Sequence, residues 1–204
     1  PWHLVRNVVL GPASVGIQVG HLDAGEHPEE LASLRTSTGA QWNDMLEVDV
    51  NEAVAVELAR LLGEEGVRVT LLPATVPPRY RADLVLSIHA DSSPDPGRRG
   101  YKSATFRGRS NPWEERLKEL VDDAYLRGSG LPDDHANVTA AMLDYYAFNR
   151  RFRHSVASGT PALIVELGYL SHPEDRRLLT RPEKVAELLA QGVRGYLRER
   201  GRLR

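Results

Sequence analysis

The chain has 204 residues, 26 basic against 28 acidic side chains, 41% hydrophobic residues and no cysteine. That length suits one domain with a real core, and so much apolar content with evenly mixed charge excludes a disordered chain. Zero cysteine removes disulfide frameworks, thiolate zinc sites, iron–sulfur clusters and cysteine nucleophiles, so any metal must be held by His, Asp or Glu. A net charge of −2 lacks the basic excess of a nucleic-acid binder, so no nucleic-acid partner is expected. No apolar run approaches the roughly 18 to 20 residues that span a bilayer. The residues from Pro1-Trp2 onward do not read as a charged-then-apolar signal peptide. A secreted protein whose leader has been removed, a trimmed chain and a cytosolic domain would all begin this way.

In chain order, four short apolar runs rich in β-branched residues read as buried strands: residues 15–19, 67–72, 84–88 and 162–165. Residues 101–106 suggest a further, more exposed strand. Between the runs lie helical patterns. Val50, Val54, Leu58, Leu61 and Leu62 recur at three- and four-residue spacing before Gly63 and Gly66. Trp113, Leu117, Leu120 and Val121 form a second stripe that ends near Gly128. In the last helix Thr180 and Glu183 read as a capping box around Pro182, and Val185, Leu188, Leu189, Val193 and Tyr196 line one face. Residues 132–150 give no clear period, although 138–148 could be helical. Strands alternating with helices predict an α/β fold: a single domain over 1–204, core about 15–197, with a mostly parallel twisted sheet and helices on both faces.

In such a sheet ligands collect beyond the carboxyl ends of the strands. His21 follows the first strand by one residue, His89 closes the third and Glu166 closes the last, while Glu47 stands just ahead of the first long helix. Two His and one Glu make a catalytic zinc environment with a fourth position open for water or substrate. Zinc brings the pKa of a water it holds to about 7, and a carboxylate outside the ligand set can carry that proton to a leaving nitrogen. Singly, each residue has a plainer reading: a strand-end His is usually hydrogen-bonded structure, and a Glu before a helix favours the dipole. Glu166 is the exception, because a carboxylate closing a buried strand is costly unless paired or used. The partners that orient the two imidazoles cannot be assigned from spacing.

Five segments carry a resemblance. They are Gly20-His21; Glu47-Val48-Asp49-Val50-Asn51; Gly66-Val67-Arg68-Val69; Ser87-Ile88-His89-Ala90-Asp91; and residues 161–171, Pro-Ala-Leu-Ile-Val-Glu-Leu-Gly-Tyr-Leu-Ser, followed by Glu174-Asp175 and Leu178-Leu179. In this order, over about 15–197, the chain resembles the zinc-dependent N-acetylmuramoyl-L-alanine amidases of the amidase-3 group. The resemblance implies one Zn2+ per chain held by His21, Glu47 and His89, with Glu166 as catalytic base and acid. It implies a peptidoglycan or muropeptide substrate cut between the muramic lactyl group and L-alanine, and extracytoplasmic action. A monomer is expected. Rival readings are a zinc carboxy- or endopeptidase acting on the stem peptide, and a non-catalytic wall-binding module.

The departures are local. His21 continues as Leu22-Asp23-Ala24 where the family has Gly-Gly, the 22–46 connection is long and acidic, and Asp91 replaces the commoner Asn at little expected cost. His27, inside that connection, competes with His21 as first ligand; His21 is preferred because a strand end fixes its geometry. His3, His154 and His172 read as surface or structural. His135 sits in a polar stretch that could border the substrate groove. Tyr145, Tyr146, Phe148 and Trp113 read as core, and Arg150, Arg151 and Arg153 as a solvated face that could meet peptide carboxylates. The segment after His89 shows no obvious helical plug of the kind the family often carries.

Overall fold

The computed structural model describes residues 11–107 and 111–204; His3 lies outside them. Strand β1 (Ser14–Val19) leads through short 3-10 turns to the hairpin β2 (Gln41–Trp42) and β3 (Met45–Leu46), then helix α1 (Glu47–Glu64) and β4 (Arg68–Leu72). After β5 (Leu84–Asp91) and β6 (Lys102–Ala104) come α2 (Pro112–Ser129) and the short α3 (Ala140–Leu143). The chain closes with β7 (Ala162–Tyr169), α4 (Pro173–Leu179) and α5 (Pro182–Glu199). The sheet runs β4–β1–β5–β7–β6, parallel throughout except for β6, which pairs antiparallel with β7.

Alternation along the strands sorts the interior into two cores. Val15, Ile17, Leu86, Ile88, Leu163 and Val165 face α1, α2 and α5, meeting Val54, Leu58, Val121 and Leu189 in the larger core. Each such side chain contributes roughly 1.5–3 kcal/mol of burial, so this face dominates the stability. On the opposite face Leu72, Val85 and Ile164 pack under Met142, Phe148 and Val156. Helices therefore lie on both faces, but unequally: the three long ones share one side, and α3 with irregular chain covers the other. By the same two-residue period Gln18, Ser87, His89 and Glu166 fall on this second, thinly covered face.

Four expectations need correction. The Thr180–Glu183 capping box does not form, because Thr180 closes α4 with its hydroxyl donating to the Arg177 carbonyl, and Arg181 takes the N-cap of α5. The 101–106 strand is not exposed; Lys102, Ser103 and Ala104 are all buried because α2, α3 and the His135 turn pack on them. Residues 138–148 do not make one helix. Thr139 caps α3 by accepting from Met142 N, the helix stops at Leu143, and a 3-10 turn follows at Tyr146–Phe148. Trp113, read as core, is 42% exposed, with its ring against the edge of Tyr196 and under the Arg200 guanidinium 4.3 Å away.

Candidate metal centre

His21 follows β1 in the left-handed region (φ 67), a strained conformation for a non-glycine residue. Asp23 (φ 56) is left-handed too, a conformation that glycine would adopt freely. Both β5 and β7 run past their apolar stretches, so His89 and Glu166 lie inside the strands, as paired neighbours in register, not beyond their ends. Glu47 is the first residue of α1; the hairpin delivers it, with Glu47 N donating to Ala40 O at 2.9 Å.

Two glycines make room for this assembly. A Cβ on Gly20 would lie 2.5 Å from His89 Cε1, so the His89 ring rests on bare backbone. One on Gly39 (φ 88) would lie 2.9 Å from His21 Cδ2 and 3.0 Å from Glu47 Oε2.

Three donor atoms converge. His21 Nε2 is 3.3 Å and His89 Nδ1 2.9 Å from Glu47 Oε1. Ligand atoms of a tetrahedral ion with bonds of about 2.0–2.1 Å lie about 3.3 Å apart, so the spacing fits one small cation. His21 Nδ1 must donate to the Ser37 carbonyl, 2.7 Å away, because a carbonyl can only accept; in the neutral ring that leaves Nε2 bare toward Glu47. The second Glu47 oxygen accepts from Ala40 N at 2.7 Å, while Oε1 also accepts from Ala90 N and Asn51 Nδ2. A buried carboxylate against two imidazoles needs a positive charge among them. Burial alone would raise the Glu47 pKa, but its hydrogen bonds to His21 and His89 outweigh that and hold it well below the carboxylate range. Burial opposes a charged His21, yet Glu47 and the Ser37 carbonyl overcome it and raise the pKa of His21. His21, Glu47 and His89 are the residues that could hold a metal ion.

Glu166 stands beside them on β7. Its Oε2 is buried without a hydrogen-bond partner among the described residues. Burial pushes its pKa well above the usual range; Glu47 and Asp91 push the same way and Lys102 opposes them. Lys102, across β6 in register with Glu166, is itself buried, donating to Asp91 Oδ2 at 2.5 Å and Tyr169 Oη at 2.7 Å. Asp91, itself partly exposed, thus supplies a carboxylate to a buried lysine, a role Asn could not fill.

Beyond the donor atoms opens a cavity of about 220 Å³ walled by Leu34, Ala74, Thr139, Met142, Tyr146 and Ile164. Short α3 walls it but does not plug it. His27 is on the far wall, buried, with Nδ1 2.6 Å from Thr75 Oγ1; it does not join the donor group. Tyr145, read as core, is buried as expected but also touches the site, its hydroxyl 2.9 Å from His89 Nε2. His135 lines none of this cavity; its ring is held by Asp122, Asp133 and Ser103. Arg150 and Arg151 border a separate open cleft with Arg107 and Asp144. His154 pairs with Glu30, and His172 caps α4.

A mostly parallel sheet that gathers two imidazoles and two carboxylates beside an open cavity defines an α/β protein with a place for one metal ion. Residues 15–195 match the profile of the Amidase_3 family, N-acetylmuramoyl-L-alanine amidase, and the chain belongs to that family. Its reaction is hydrolysis of the amide between N-acetylmuramic acid and L-alanine in peptidoglycan. Among solved structures the chain is similar to the amidase Ami1 from Mycobacterium smegmatis (17% identity, TM-score 0.69, 93% of this chain and 98% of that one). It is also similar to CwlD from Clostridioides difficile, solved with the GerS lipoprotein (18%, 0.65, 92% and 99%), and to AmiC2 of Nostoc punctiforme (22%, 0.61, 92% and 98%). At these identities the likeness speaks to the fold. Compared by sequence with curated proteins, the chain finds no significant match.

Proposed function

We propose that the chain is a zinc amidase acting outside the cytoplasm, with His21, Glu47 and His89 as the zinc ligands and Glu166 as the proton carrier. The observation that carries this reading is the convergence of His21 Nε2 and His89 Nδ1 on Glu47 Oε1, beside a buried Glu166 oxygen that has no partner. Zinc held there supplies a Lewis acid for the lactyl carbonyl and makes an attacking water acidic. Glu166 Oε2 takes the proton as the water oxygen bonds to the carbonyl carbon, and its raised pKa suits it to keep that proton. The same carboxyl then delivers it to the alanine nitrogen as the C–N bond breaks. The apolar part of the cavity wall lowers the local dielectric, which strengthens each of these electrostatic contacts. No helix among the described residues is long and apolar enough to cross a membrane.

The test is digestion of purified peptidoglycan by the zinc-loaded protein, with products read by mass spectrometry. Free stem peptides beginning with L-alanine are expected. Cleavage confined to bonds within the peptide would make the chain a stem peptidase instead. Zinc uptake without any cleavage would make it a binding module.

A further inference from the structure

The hydroxyl of Tyr145 belongs to a hydrogen-bond chain whose direction is fixed at its far end. The Ala74 carbonyl can only accept, and Gln18 Nε2 stands 2.5 Å from it while Tyr146 Oη donates to the same oxygen at 2.8 Å. The opposite amide orientation of Gln18 would set two oxygens against each other at that distance, so its Oε1 must face the other way. There it meets Ser87 Oγ and, at 3.1 Å, Tyr145 Oη. An amide oxygen donates nothing, so both hydroxyls point their protons into it. A phenol has a single proton, and that proton is given to Gln18 Oε1. Toward His89 the phenol oxygen can then only accept, across 2.9 Å, and His89 Nε2 must carry the hydrogen. Gln18 and Ser87 are fully buried, so no water competes for these bonds.

We infer that Tyr145, held by Gln18, is the positioning residue that keeps a hydrogen on His89 Nε2, so that Nδ1, which donates to Glu47 Oε1 in the metal-free protein, is the atom an ion would free and engage. This rests on the metal site proposed above. The two imidazoles then coordinate through different atoms: His21 through Nε2, with Nδ1–H on the Ser37 carbonyl, and His89 through Nδ1, with Nε2–H on Tyr145. Metal-binding histidines are commonly steadied by such outer partners. Here the partner comes from the segment that walls the cavity, residues 139–148, so loading the metal and seating that wall are linked through one hydroxyl.

The test has two readouts that do not depend on turnover. In the zinc-loaded protein, histidine 15N NMR should show His89 coordinated through Nδ1, with a slowly exchanging proton on Nε2, and His21 coordinated through Nε2. In parallel, zinc affinity is measured by chelator competition for the wild type and Tyr145→Phe, with thermal melts to establish folding. The variant should bind zinc about 10- to 100-fold more weakly, whereas Ser87→Ala, which keeps the Tyr145–Gln18 bond, should lose far less. Coordination of His89 through Nε2, or a folded Tyr145→Phe with wild-type affinity, would overturn the inference. Should that variant fail to fold, the coordination pattern of the wild type decides. If the wild type takes up no zinc, it is the metal-site reading that fails.

Discussion

Gly20→Ala isolates the close packing of His89 on the end of β1. Gly20 is not in the left-handed region, so alanine fits its backbone without strain. The whole effect must come from the added methyl. That carbon would stand 2.5 Å from Cε1, 2.6 Å from Nδ1 and 2.7 Å from Nε2 of His89, where ordinary contact begins at 3.4 Å. The ring must therefore retreat by about 0.9 Å, several times the ~0.2 Å tolerance of a metal–ligand bond. It cannot do so freely, since Tyr145 and Glu47 grip its two nitrogens. Overpacking of this kind costs about 1–3 kcal/mol of stability. A catalytic group displaced by about 1 Å costs on the order of a hundredfold in rate. Thermal melts of the metal-free protein, chelator competition for zinc and muropeptide turnover measure the three effects. A folded variant with zinc affinity and rate indistinguishable from wild type would refute the packing argument.

Glu166→Gln should keep stoichiometric zinc while kcat falls by about 10²–10⁴; unchanged turnover would remove Glu166 as proton carrier. His21→Ala should abolish tight zinc binding and His27→Ala should not, and the reverse result would exchange the two histidines. The pKa of His21 is raised in the metal-free protein, so its contribution to stability is complete below the unfolded value of ~6.5 and is lost as pH rises through the folded value. Metal-free protein should thus melt higher at pH 6 than at pH 8.5, and zinc-loaded protein the other way round, because protons displace the metal in acid. Parallel melting scans check both slopes. Asp91→Asn restores the commoner family residue but leaves the buried Lys102 charge only the more distant Asp134 carboxylate, 3.8 Å away, and should lower stability by about 1–3 kcal/mol in urea titrations.

That His21, Glu47, His89 and Glu166 meet was legible because three of them close or follow apolar runs and the fourth opens the first long helix, although all but Glu166 have a plainer use when taken singly. The four main strands were legible for the same reason, although β5 and β7 run further than their apolar letters, since polar site residues can pair in a sheet. Tyr145 was not legible. Its value lies in a bond to Gln18, 127 residues away, and no local period carries that. A signal did exist in Gln18 and Ser87, two polar letters inside buried strands that had to find partners. Thr180 misled because the same residue type both ends one helix and begins another, and only the spacing of α4 and α5 decides between them. β6 looked exposed because part of its cover, α3 and the His135 turn, comes from a segment with no regular pattern of its own.

The unequal covering of the sheet has a mechanical consequence. One side is a slab of three long helices that resists opening until the whole molecule unfolds. The catalytic side is roofed by short turns pinned at a few points, among them Glu30, whose carboxylate accepts from Arg153 N, His154 N and His154 Nδ1. Amide exchange should run faster there than behind the sheet. Whatever yielding admits a cross-linked polymer is thus expected at the front, with the helical slab behind the sheet as its anvil.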